Sequence, residues 1–280
     1  MIKNVLGALG ALILAAMPAA AQAGTIDWLL APISGVSEHY VAATTAWHGR
    51  LMVLAWAVLM PAALVVVRYF KVTPRQQWPR HLDNPFWFIA HRRLGNALVL
   101  VMTLAVGLML WGTGGLLAPF RSLHITLGWL IFVLASLQII GSYLRGTHGG
   151  PMNSFTRQPK PPAEWPGDHY SMTRRRIIFE RAHKGVGYLL IALAIATVET
   201  GLWAADAPVW MWLVLGLWWI VCAAGLIELQ RRVGCIDTYQ AIWGLDPALP
   251  GYRHRPIGVG ITRFTESNAT DAPWQKASSK

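Results

Sequence analysis

Five apolar runs, at 51–67, 94–111, 123–144, 185–205 and 207–227, dominate this 280-residue chain, and only the fourth holds an Asp, Glu, Lys or Arg, Glu199. Each is close to the roughly 20 residues that cross a hydrocarbon core about 30 Å thick. The expected class is therefore an all-α integral membrane protein with five transmembrane helices. Composition agrees, because 54% of the residues are hydrophobic, only 13% are charged and 15 are Trp. A mean hydropathy of +0.40 is too high for an ordinary soluble domain.

Ahead of the runs, Lys3, the apolar stretch from Val5 to Met17, the breaker Pro18 and Ala21-Gln22-Ala23 read as a cleavable signal peptide over residues 1–23. Left uncut, it would form a sixth helix and still put Gly24 on the outer side. Residues 24–47 then form an outer, periplasmic segment that lies on the membrane surface, 48–228 the spans, and 229–280 an inner, cytoplasmic tail. Of the 24 Lys and Arg, 21 fall in the segments this topology places inside, which fixes the orientation by the excess of positive charge in cytoplasmic loops. The net charge of +11 is then topological. Arg174, Arg175 and Arg176 with Arg181 are expected to meet anionic headgroups, and no nucleic-acid partner is predicted. Cys222 in the fifth run and Cys235 in the tail predict no extracytoplasmic disulfide. The Pro- and Gly-rich stretch from Gly146 to Arg181 reads as an unpacked loop, and the last dozen residues as disordered.

Four histidines, His48, His91, His124 and His183, open the first four runs, and the fifth run opens with none. Three of them begin the phrase His-x-x-apolar-Gly, ending at Gly95, Gly128 and Gly187, whereas His48 is followed by Met52. On a helix, positions i and i+4 share a face one turn apart, so each Gly removes a side chain beside the imidazole and leaves room for a flat macrocycle. Consecutive membrane helices alternate in direction. His48 therefore shares a level with His124, and His91 with His183, at opposite membrane faces. Two b-type haems, each held by two imidazoles from facing helices, are the expected cofactors. With both axial positions filled, such a centre passes electrons and has no site for substrate at iron. Levels at opposite ends of helices this long lie at most about 30 Å apart.

Glu199 stands 16 residues beyond His183, about 24 Å along the helix and level with the outer pair. An ionisable residue inside a span marks function by default, so Glu199 is a candidate for proton release or for tuning the outer haem, against the alternative of a carboxylate reaching the interface. His39, His81, His148, His169 and His254 are read as solvated or interfacial.

The stretch His48-Gly49-Arg50-Leu51-Met52, Ala55-Trp56, Leu59-Met60-Pro61, Trp87-Phe88 with His91, His124 with Leu127-Gly128 and Gln138, and Arg176, Phe179-Glu180, His183-Lys184 and Gly187-Tyr188 resembles the cytochrome b561 family. It is most similar to the transmembrane domain that elsewhere follows a DOMON domain, and the likeness covers about 47–205. The resemblance implies the same ligand pairs, His48 with His124 and His91 with His183. It also implies that basic residues beside the inner haem bind an anionic donor such as ascorbate, here Arg80, Arg92, Arg93, Arg181 and Lys184. No DOMON domain is expected ahead of His48.

The expected function is transmembrane electron transfer from a cytoplasmic or membrane donor, a quinol or an ascorbate-like molecule, to an outer acceptor or periplasmic redox protein, in a bacterial inner membrane. The alternatives are a membrane anchor that links a periplasmic redox partner to the quinone pool, and a ferric reductase.

Overall fold

The computed structural model describes residues 19–35, 40–74, 76–115, 121–153 and 158–269. Most of the expected signal peptide, His39, Arg75, Arg157 and residues 270–280, with Lys276 and Lys280, lie outside them. Helix α1 (Ala19–Leu30) runs across the expected cleavage point. Five helices are long and apolar enough to cross a membrane: α2 (Ala43–Tyr69), α3 (Phe86–Thr113), α4 (Leu123–Tyr143), α6 (Arg174–Ala204) and α7 (Val209–Arg232). Short helices α5 (Asp168–Ser171) and α8 (Thr238–Trp243) belong to the connections.

Three of the spans, α2, α3 and α6, start earlier than hydropathy indicates, most of all α6, which begins at Arg174 and not near residue 185. Its charged first turns are helical because the Thr173 hydroxyl accepts the Arg176 N–H and Glu180 pairs with Lys184 four residues on at 2.6 Å. Hydropathy sees only the lipid-crossing part of such a helix. His48, His91 and His183 consequently lie inside their helices, His183 about two and a half turns in, whereas His124 stays in the first turn of α4.

In lipid, apolar side chains gain little by leaving the solvent, so bundle packing rests on close approach of small residues. Ala55, Ala57, Met102, Ala105, Ile131, Ala135, Leu190, Ala194 and Val198 form the interior together with Leu215 of α7, most of whose other large apolar side chains point outward. One turn of α2, Leu54–Leu59, is a π-helix. Pro61 follows it and has no N–H to give the Ala57 carbonyl. The indole of Trp218 on α7 takes that carbonyl at 2.7 Å, tying the histidine-free fifth span to the bundle.

At the other side of the membrane from Ala43, the connections and the tail build a cap. Two short strands, β1 (Cys235–Ile236) and β2 (Ile261–Thr262), pair in parallel, and residues 235–244 are buried throughout. Buried Lys71 donates to the Ile236 carbonyl at 2.7 Å and stands 3.5 Å from the Cys235 sulfur; burial pushes its pKa down. Arg68 reaches Tyr188, Gln230 and the Val259 carbonyl. The stretch Gly146–Arg181 is therefore not an unpacked loop: His169, Met172, Arg176 and Glu180 in it are buried, and its apolar residues pack with Tyr239, Ile242 and Trp243 of the tail. The Pro and Gly residues mark its turns but leave enough aromatic surface between them to pack.

At the opposite end, Ile33 N–H bonds to the Ala207 carbonyl and Ser34 bonds twice to the Asp206 carboxylate. This holds the segment after α1 against the α6–α7 turn.

Asp168 clasps the cap connection. Its carboxylate accepts the Thr147 N–H and hydroxyl, both at 2.9 Å, and the Thr173 hydroxyl at 2.7 Å. These bonds, the Thr147 N–H first, hold its pKa down from 3.8 to about 2. A carboxylate depressed in the folded state stabilises it fully above the unfolded value and loses that contribution as pH falls through the folded one. Limited proteolysis of the 146–173 segment in detergent should therefore accelerate between pH 4 and 2. Asp168→Asn should be cut faster at neutral pH and lose the step.

Candidate functional site

The two expected histidine pairs face one another across the bundle. His48 on α2 and His124 on α4 have ring centres 6.2 Å apart at 87°. His91 on α3 and His183 on α6 stand 6.2 Å apart at 85°. In three of the four rings Nδ1 meets a backbone carbonyl of a neighbouring helix: His48 meets Ala105 at 2.9 Å, His91 meets Ala63 at 3.2 Å and His124 meets Thr197 at 3.0 Å. A carbonyl only accepts, so Nδ1 must carry the proton and Nε2 is left with its lone pair. That is the tautomer a metal requires. His183 differs. Its Nδ1 is buried without a partner, its ring stacks on Phe179 at 5.3 Å, and its carbonyl takes the Gln138 amide at 2.8 Å.

The same hydrogen bonds measure the separation of the two levels. On α3 the first pair is marked by Ala105 and the second by His91, 14 residues away; α4 (His124, Gln138) and α6 (Thr197, His183) give the same count, and α2 (His48, Ala63) gives 15. At 1.5 Å per residue all four helices place the levels about 21 Å apart. Leu98, Met102, Ile131, Ala135, Leu190 and Ala194 fill the interval.

The pairs fit an axially ligated metal. Metal–imidazole bonds are about 2 Å long and a ring centre lies about 1 Å from its nitrogens, so two imidazoles sharing a metal have centres about 6 Å apart. Among the described residues no group of three or more His, Cys, Asp or Glu gathers, and a bare ion at either pair would receive only two donors. An iron carried in a tetrapyrrole brings four nitrogens and needs two imidazoles more. The packing at the three glycines of the His-x-x-apolar-Gly phrase is loose. A Cβ at Gly128 would meet nothing within 4 Å, one at Gly95 would touch Ile139 at 3.7 Å, and one at Gly187 would touch Gln138 at 3.8 Å. Gly201, which the sequence did not single out, is closer: a Cβ there would stand 2.9 Å from Cε1 of His124.

Glu199 lies on α6 two residues from Thr197, which on a helix points it away from His124. It accepts the Trp219 indole N–H of α7 at 3.0 Å. Of the basic residues, Arg80, Arg92, Arg93 and Arg181 are exposed, and Arg92 lies over the Phe88 ring. Lys184 is engaged by Glu180 and by the Ile257 carbonyl.

Beside the His91–His183 level the cap holds residues that sequence reading left in solvent. His169 is 1% exposed, not solvated. It stacks on His148 at 5.4 Å and meets Tyr239 and Trp243 edge-on. Burial, and then the charge of Arg176, pushes its pKa well down, so it is neutral at ordinary pH. His148 stacks in turn on Phe88, three residues before His91. The one sequence signal for this cluster is the aromatic run from Tyr239 to Trp243, which needed a partner surface.

Fold and site together define a multi-pass helical membrane protein with facing imidazole pairs at two levels of its bundle. The comparisons narrow the class. The chain is 28% identical over 231 residues to a cytochrome b561 and DOMON domain-containing protein of Arabidopsis thaliana, covering 80% of this chain and 48% of that one. A cytochrome b561, DM13 and DOMON domain-containing protein of the same plant is 26% identical over 66% of this chain and 18% of its own length. A Danio rerio protein named as a candidate ferric-chelate reductase is 25% identical over 60% of this chain and 25% of its own. These likenesses support a b561-type family for the chain, which spans less than half the length of each of these three relatives. No family model matches the sequence, and no solved structure matches it either.

Gly201→Ala should push the His124 ring away from His48 and cost about 1–3 kcal/mol by overpacking. Thermal unfolding in detergent should show the loss. Gly128→Ala, with open space around its new methyl, should be far milder in the same assay.

Proposed function

We propose that the chain carries electrons across a membrane through two b-type haems, one between His48 and His124 and one between His91 and His183. The observation that supports this most directly is the repeated pair: two imidazoles about one metal's span apart, at two levels of one bundle, with Nε2 free of hydrogen bonds. A haem bound in this way supplies one-electron oxidation and reduction at an iron without an open coordination site. The protein's own part is to hold three of the four ring tautomers through carbonyls on neighbouring helices, to keep the interval between the levels apolar, and to cover one level with the cap.

The concentration of Lys and Arg in the α2–α3 and α4–α6 connections and the tail supports a cytoplasmic position for the capped, His91–His183 level. The other level then faces the periplasm of a bacterial cell. In this reading the donor is a quinol or an ascorbate-like molecule and the acceptor an outer redox partner. The exposed Arg92, Arg93 and Arg181 offer the donor a basic approach. The name of the zebrafish relative favours one second reading, in which the acceptor is a ferric chelate; the relay within the membrane is the same.

Purified protein should contain two low-spin b haems per chain. His48→Ala and His124→Ala should each lose the same one, and His91→Ala and His183→Ala the other, as read by haem content and redox difference spectra. A colourless preparation, or a single haem insensitive to both members of a pair, would sink the reading. Turnover of reduced protein with a ferric chelate, in the absence of any other protein, separates the reductase from a relay that needs a partner.

A further inference from the structure

Most buried polar atoms without a partner, among the described residues, crowd into one place. Both ring nitrogens of His169, Nε of Arg176, Oε2 of Glu180 and the indole nitrogen of Trp243 have neither a hydrogen bond nor accessible surface. Native proteins pair nearly all such groups. Arg176 is 8% exposed and forms an ion pair with Glu180 at 3.6 Å, but that carboxylate accepts its hydrogen bond from Lys184. Arg145 is close as well: burial lowers its pKa, and the charges of Arg176 and Arg92 lower it further. Glu180 and Asp168 are the carboxylates whose charge reaches Arg176, while the Trp243 indole, a ring N–H of His169 and Nε of Arg176 are buried donors with no acceptor at hydrogen-bond distance. Such donors suit a group with several acceptor oxygens.

Its position identifies the source. Arg176 is seven residues before His183 on α6, two turns away on the same face, about 10 Å along the axis. His169 is linked through the stacked His148 and Phe88 to the first turn of His91's helix. The cluster thus borders both helices that carry the second imidazole pair. It is also closed, since Tyr239 and Trp243 of the tail pack on His169. An occupant that exchanged with solvent would need an opening there, whereas one that arrives as part of the cofactor needs none.

We propose that Arg176 and His169, backed by Arg145, form a receptor for carboxylate, and that it takes the carboxylate arms of the haem held by His91 and His183. This rests on the two-haem reading and adds what orients that haem. A guanidinium fork suits a carboxylate, and the neutral His169 adds one N–H. The tail acts here as a positioning element, because its aromatic residues hold His169 in place.

The test uses full-length protein in a His48→Ala background, which leaves the second haem alone. Apoprotein is reconstituted with haem b or with its dimethyl ester, and haem loss to excess apomyoglobin is timed. Charge-assisted hydrogen bonds are worth about 1.5–3 kcal/mol, so the ester should leave about tenfold faster or more than the free acid. In Arg176→Gln the two haems should leave at similar, fast rates, in His169→Leu the gap should narrow, and in Arg174→Gln, altered at an exposed neighbour, it should persist. If Arg176→Gln does not accumulate, the ester in otherwise unaltered protein and His169→Leu give the same reading. Equal rates for ester and acid in the parent protein would overturn the proposal. Saturable binding of succinate to that protein, with those equal rates, would assign the cluster to a free carboxylate instead. Protein that binds no haem in any form overturns the two-haem reading itself, so the two failures are distinct.

Discussion

A hydrogen bond from an imidazole Nδ1 to a backbone carbonyl of the next helix is the contact on which the arrangement turns. His48 to Ala105, His91 to Ala63 and His124 to Thr197 each use the second lone pair of a carbonyl already engaged in its own helix. Each bond fixes a ring tautomer and at the same time fixes how far one helix is slid along another. A slip of a single residue would move the carbonyl by about 1.5 Å along the axis and turn it by about 100°. Ring chemistry and helix register are therefore set by the same atoms.

The bilayer explains why polar contacts carry so much of the packing. With lipid on the outside, burial of a Leu contributes little, and small residues let the backbones approach. Ala55, Ala57, Ala105, Ala135 and Ala194 do this in the interior. Where the backbone cannot satisfy itself, a side chain from another helix does. Pro61 frees the Ala57 carbonyl and Trp218 occupies it; Gln138 reaches the His183 carbonyl. The π turn of α2 sits beside this exchange, and a local change of helical pitch there aims Ala55, Trp56 and Ala57 inward together.

The cap obeys the opposite rule, because it lies at the water side, where aromatic burial is favourable. Trp78, Tyr239, Ile242 and Trp243 are nearly inaccessible. Lys71 is stripped of water and given the Ile236 carbonyl in return. The two ends of the bundle thus differ in kind: one is fastened by a few bonds between residues 33–34 and 206–207, the other by a packed layer that reaches the helix carrying His183 through Lys184 and Ile257.

The number of spans was legible in the sequence because lipid-crossing length is a property of composition alone. The pairing of His48 with His124 and of His91 with His183 could be reasoned from chain order, since alternating helices leave few choices of level. Helix starts were not legible: Thr173 as a cap and the Glu180–Lys184 pair extend α6 through residues that hydropathy scores as loop. Glu199 was placed at the right level but on an unforeseen face, because the direction of a side chain depends on where α7 packs. His169 was missed for the same reason. A histidine between Asp168 and Tyr170 looks exposed until a tail some 70 residues later folds over it. Local sequence determines what a segment can cross or cap, whereas only tertiary structure decides which polar atoms are cut off from water, because that depends on partners distant in the chain.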